Sequence, residues 1–167
     1  MRYLLLLLVV LASCEVKVST GKEEPKEAKN KSKIRNGIAV KTTGGVSVEQ
    51  AFLTYADDGT LVDENNSTAI NKPVKINLVV KGWKEAEGRI YIDAEQKVTT
   101  SEGDTVLIKK DMLAEVGEIT AQQAEYLNFQ VVITKLNKLF DYFLVEVKAR
   151  NTKAAQAAEA SFKLHIE

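Results

Sequence analysis

Beyond residue 33 the dominant rhythm of the chain is a period of two. In Phe143-Leu144-Val145-Glu146-Val147-Lys148-Ala149-Arg150 the odd positions are apolar and the even ones become charged. In Ala160-Ser161-Phe162-Lys163-Leu164-His165-Ile166-Glu167 one face holds Ala160, Phe162, Leu164 and Ile166. Such alternation sets one face of a strand on a core and the other in water. The polar and alanine-rich stretch 151–159 between them reads as a hairpin loop. Residues 127–134 alternate likewise, with 137–141 as the turn into the next strand, so three consecutive antiparallel strands are expected to close the domain. Upstream, residues 46–55, 74–81, 89–99 and 105–109 are further strand candidates. The turns between them hold Asp57-Asp58-Gly59, residues 82–88 and Ser101-Glu102-Gly103-Asp104. Asp-Gly and Glu-Gly steps supply the positive φ that tight hairpins demand.

One interruption reads as helical. Across residues 111–126 the alternation lapses, and Thr120 and Gln123 have capping-box spacing before Ala124. The whole pattern predicts a mainly β fold: an immunoglobulin-like antiparallel β-sandwich of about seven or eight strands with one short helix. The cysteine–tryptophan–cysteine pin of true immunoglobulin domains is absent, so the likeness is one of architecture. No repeat with a period of about 20–50 residues is visible, which argues against a solenoid or propeller.

The first 33 residues have a different texture. Met1-Arg2 brings one positive charge, residues 3–11 form an unbroken apolar run of nine, and small Ala12-Ser13 precede Cys14. A helix of that length is far short of the roughly 20 residues needed to span a bilayer. Residues 1–13 follow the plan of a secretory signal peptide. Leu11-Ala12-Ser13-Cys14 resembles the lipobox of bacterial lipoproteins, which implies cleavage before Cys14 and acylation of that residue. Membrane attachment through two or more acyl chains, extracytoplasmic and at the outer membrane, follows from the resemblance. An ordinary secretory cleavage site beside an incidental cysteine is the alternative. From residue 15 to 33 there are six lysines and four glutamates, with Val16, Val18 and Ala28 as the only apolar residues. That stretch cannot bury a face. It reads, with Cys14, as a tether (14–33) ahead of a single domain (34–167). Lys22-Glu23-Glu24 loosely resembles the acidic export signal of Bacteroidetes surface lipoproteins, and a plain solvated linker explains the same residues.

Composition narrows the chemistry further. The 167 residues carry 23 basic and 23 acidic side chains, one cysteine and one histidine. Neutral balance removes the electrostatic drive for nucleic-acid binding. The lone cysteine and histidine exclude a disulfide framework and a Cys/His zinc site. His165 falls on the polar phase of its strand with Ser161, Lys163 and Glu167, a poor place for the base of a nucleophilic site. Gly45-Val46-Ser47-Val48-Glu49 lacks the second glycine of a nucleophile elbow, and Gly44-Gly45 lacks the lysine and hydroxyl of a P-loop.

Three weaker candidates remain. Asp57, Asp58, Asp63 and Glu64, with Asn65 and Asn66, place oxygen ligands of the kind calcium takes close together in the sequence, outside the EF-hand order. Turns use the same residues for their own geometry. Trp83, after Gly82 at the start of a charged loop, is placed to stack on a sugar or anchor a partner, with Tyr91 and Tyr55 as flanking aromatics; folding back over the core is the other fate. Asp104-Thr105-Val106 looks like the tripeptide at which Bacteroidetes attach sugars to exported proteins, with Thr105 as acceptor; a turn leading into a strand is the simpler reading. No cofactor is required by any of this. The expected function is a non-catalytic binding or structural module for an envelope protein or glycan. A calcium-dependent adhesion or glycan-binding domain is the first alternative, and a carboxylate-based hydrolase the second.

Overall fold

In the computed structural model, residues 33–113, 115–134 and 138–167 are described. The signal peptide, Cys14 and all but the last residue of the tether lie outside the described residues, as does part of the 137–141 turn. Ser32–Glu167 is one compact unit. No helix among the described residues is long and apolar enough to cross a membrane.

The elements run β1 (Ala39–Thr43), β2 (Ser47–Tyr55), β3 (Ser67–Thr68), β4 (Val74–Lys81), β5 (Ile90–Thr100), β6 (Thr105–Lys109), β7 (Glu118–Ile119), α1 (Ala121–Ala124), β8 (Tyr126–Val131), β9 (Phe143–Asn151) and β10 (Gln156–Ile166). They form the β-sandwich that the alternation predicts. The large sheet has the order β1-β10-β9-β5-β6, with β3 alongside the end of β10 and β7 alongside the start of β5. The small sheet has the order β2-β4-β8. Pairing is antiparallel throughout except for the two-residue β3–β10 contact.

Strand after strand, the period-two pattern becomes a buried face. In β4, Val74, Ile76, Leu78 and Val80 are buried and the intervening residues are half-buried. In β9 the inward set is Phe143, Val145, Val147 and Ala149, and in β10 it is Ala158, Ala160, Phe162 and Leu164. Across the β9–β10 pair, Ala158 stands opposite Ala149 and Ala160 opposite Val147. Gln96 also points inward from β5. Its Nε2 donates to Gln130 O at 3.3 Å, whereas its Oε1 meets no partner among the described residues.

Three expectations are corrected. Among the described residues of 111–126, only Ala121–Ala124 is helical, although the Thr120–Gln123 capping box forms as expected. Gly117, at a φ of 68°, turns the chain out of helical geometry just before it. Second, β8 does not join β9 and β10. It pairs with β4 in the small sheet, and the neighbour of β9 is β5. Alternation encodes which face of a strand is buried and is silent about its neighbour. Third, the 151–159 loop is shorter than expected, because β10 starts at Gln156 and pairs with β9 from Asn151 onward. Gln156, Ala158 and Ala160 keep the inward phase of Phe162, so small and polar side chains continue the strand.

Two knots of buried amides fasten opposite ends of β10. At one end, Asn36 and Asn66 both adopt positive φ, 58° and 57°, a conformation asparagine tolerates better than other side-chain-bearing residues. Asn36 Nδ2 donates to Asn66 Oδ1 at 3.0 Å, and Asn36 Oδ1 accepts from Leu53 N of β2 at 3.2 Å. Asn66 Nδ2 donates to Asn36 O at 2.8 Å and to Lys163 O of β10 at 2.9 Å. At the other end, Gln156 Nε2 donates to Gly44 O at 3.0 Å and Gly82 O at 2.8 Å, while its Oε1 accepts from Lys84 N at 2.7 Å. The glycines there are obligatory: a Cβ on Gly44 would stand 2.3 Å from Ala155 O, and one on Gly82 2.5 Å from Gly45 O.

Candidate functional site

The sandwich offers two outer faces, built by the same alternation and chemically unlike. On the large sheet, register sets Lys41, Glu159, Lys148 and Glu95 in one row across β1, β10, β9 and β5. The next row holds Ala39, Ser161, Glu146, Lys97 and Ile108, and Arg150 faces Asp93 on the other side. These charges neutralise one another in place. Lys148 meets Glu159 at 2.8 Å, Arg150 meets Asp93 at 2.7 Å and Lys97 meets Glu146 at 3.7 Å. The hydrogen bond from Lys148 holds the Glu159 carboxyl below its usual range, and that from Arg150 to Asp93 raises the guanidinium. A shallow groove of about 520 Å³ runs over these rows.

On the small sheet the corresponding rows are almost uncharged. Gln50, Val79 and Tyr126 stand in line across β2, β4 and β8; beside them lie Phe52, Asn77 and Asn128, then Thr54, Lys75 and Gln130. Tyr126 is 64% exposed at the edge of the sheet. Phe52 and Asn77 are half-buried, and Asn128, Gln130 and Gln50 are exposed. Asn77 Nδ2 donates to Thr54 Oγ1 at 3.0 Å. Lys75 is the single charge in the nine positions. Lys81, paired with Glu125, lies at the rim, where that hydrogen bond raises the lysine above its ordinary value.

The residues singled out by sequence do not gather on either face. Trp83 is buried, and its Nε1 donates to Ala124 O at 3.0 Å, so the indole caps the core and fastens the end of α1. Its expected ligand role gives way to packing because that N–H finds a partner inside. Tyr55 is at the opposite end of the small sheet from Trp83, since Tyr55 pairs with Val74 while Ser47 pairs with Lys81. Its hydroxyl donates to Ser67 O at 3.1 Å and Lys72 sits over its ring at 3.4 Å. Tyr91 belongs to the large sheet, where hydrogen bonding to Glu118 raises its phenol. The three aromatics therefore form no common platform.

The acidic loop has internal work. Asp58 Oδ1 accepts from the Thr60 amide at 2.9 Å and the Thr60 hydroxyl at 2.7 Å, which lowers its pKa. Asp63 Oδ1 accepts from Asn65 N at 3.1 Å, and Glu64 is held by Arg35 at 2.8 Å and by Asn36 N at 3.0 Å. Asp57 is exposed. Among the described residues, no group of three or more His, Cys, Asp or Glu side chains is placed to hold a metal ion. Thr105 is exposed at the start of edge strand β6 and pairs with Thr99. His165 is on the outer face, as its phase predicts, with Nδ1 2.7 Å from Asp141 O.

The small-sheet face escaped sequence reasoning, although part of its signal was present. Tyr126, Asn128 and Gln130 alternate with Leu127, Phe129 and Val131. What made them a surface was their alignment with Phe52 and Asn77, which only strand pairing supplies.

No family model and no curated protein matches the sequence. Among solved structures, the chain is similar to the crystal structure of the C-terminal domain of wzt, at 15% sequence identity and a TM-score of 0.49, over 82% of each chain.

Proposed function

We propose that this protein is a non-catalytic binding module of the bacterial cell envelope, anchored through acylated Cys14 and presenting the small-sheet face to a glycan or protein of that envelope. The observation that carries this reading is the face of Phe52, Asn77, Tyr126, Asn128 and Gln130, which exposes an aromatic ring among uncharged hydrogen-bonding groups. Aromatic side chains at the surface of a rigid sheet give binding area at small entropic cost. Against a hydrolase stands the state of the other face: Asp93, Glu146 and Glu159 are each paired with a base, and Glu159 is held ionised, whereas a general acid needs a raised pKa.

Two measurements test the proposal. Cys14→Ala in the producing cell should abolish palmitate labelling; continued labelling would refute the anchor. The unlipidated Cys14→Ala protein should sediment with isolated cell envelopes through its face, and adding Tyr126→Ala should reduce that binding by at least tenfold. Unchanged sedimentation of Tyr126→Ala would remove the face from the proposal.

A further inference from the structure

The small-sheet face is specific enough in its chemistry to name a ligand class, an inference that rests on the binding-module reading above. A protein partner is selected by apolar pockets and desolvated charges. Here the apolar groups are Phe52, half-buried, Val79 and a ring at the margin, and the only charge in the three rows is Lys75. An anionic polymer would need several cations, and they are absent from these positions. What the face has in abundance is carboxamide: Gln50, Asn77, Asn128 and Gln130 come from three adjacent strands. Each carboxamide both donates and accepts. Neighbouring strands are about 4.8 Å apart, which sets Asn77 and Asn128 side by side, with Gln50 and Gln130 in the flanking rows.

A neutral sugar polymer has the matching surface. Each hydroxyl is a donor and an acceptor, so it is satisfied by groups that are both. The C–H face of the ring is apolar and lies flat on an aromatic ring. Tyr126, 64% exposed and next to Asn128 along β8, provides such a ring next to such amides. We infer that the outer face of β2, β4 and β8 binds a neutral polysaccharide, with Tyr126 stacking on a sugar ring while Asn77, Asn128 and Gln130 hydrogen-bond its hydroxyls. No bond is made or broken, and the selectivity is against charged polymers.

The test is affinity electrophoresis of the full-length protein in detergent, through gels containing dextran, mannan, galactan or β-glucan, with alginate and polygalacturonate as anionic counterparts. At least one neutral polymer should retard the protein. Tyr126→Ala should weaken that retardation at least tenfold and Asn128→Ala at least threefold, while Lys148→Ala on the opposite face leaves it unchanged. Because Tyr126 and Asn128 are exposed, unchanged circular dichroism spectra will show that both variants fold. Retardation by the anionic polymers alone, or by none, would overturn the inference. Envelope binding by the unlipidated Cys14→Ala protein separates the two levels of the proposal. If Tyr126→Ala abolishes binding to envelopes and protease treatment of those envelopes does so too, the face stands and its ligand is a protein. If binding survives Tyr126→Ala, both readings fall.

Discussion

The outer face of the large sheet is a board of alternating charges, whereas the outer face of the small sheet is a field of amides with an aromatic margin. Both are solvent sides of antiparallel strands, and both rest on the same core. The difference shows that a solvent face can be finished in two ways. Charges that neutralise one another across strands keep a surface wet and uninviting to the wrong partner, since any ligand must break pairs such as Lys148–Glu159 and Arg150–Asp93. Amides and a phenol ring give up water at lower cost and bond in either sense. In this protein, the large sheet carries the first treatment and the small sheet the second.

The comparison can be broken most severely from beneath. Phe162 is among the largest fully buried side chains, and Phe162→Ala should cost about 3–5 kcal/mol. Denaturant unfolding should register that loss, and both faces should lose their order together. Next in size is Gln156→Ala, which leaves Gly44 O, Gly82 O and Lys84 N without their partner at one end of the sandwich. A loss of about 2–3 kcal/mol is expected by the same measurement. A third test works on the charged face alone. Lys148→Ala should lower stability by only about 0.2–1 kcal/mol, because that pair is substantially solvated.

The pH dependence of the Lys148–Glu159 pair follows from the lowered carboxyl. Its folded pKa lies below the ordinary 4.5, so its stabilisation is complete above that value and disappears as pH falls through the folded pKa. Wild type and Lys148→Ala should therefore converge in melting temperature under acid conditions and differ slightly at neutral pH. The smallest expected effect is none: millimolar calcium should leave the melting temperature unmoved, since one oxygen each of Asp58 and Asp63 and both of Glu64 are engaged by Thr60, Asn65, Arg35 and Asn36. A rise would support the calcium reading by linkage.

How much of this was legible in the sequence depends on what alternation encodes. It marked residues 74–81 and 105–109 as the strands β4 and β6, and it put Phe162 and Leu164 inward and His165 outward. It set β8 beside β9 where the structure sets it beside β4, because every half-buried strand carries the same code. It passed over β1, whose residues are almost all exposed, and the two-residue β3 and β7. The chemically conspicuous residues follow the plainer of their two readings for a physical reason. Trp83, Asp58 and Glu64 are conspicuous because they bond strongly, and a folded chain tends to use such groups for itself. Asn128 and Gln130 attracted no notice as single letters, yet in register with Asn77 they define a surface.

The position of β10 has a consequence for how the protein is made. This strand lies inside the large sheet between β1 and β9, and Gln156 reaches back 112 positions to Gly44. The large sheet cannot close until β10 is available to both neighbours, because pairing over such sequence distances must wait for both segments. The order of strands thus makes completion of the large sheet a late event in folding.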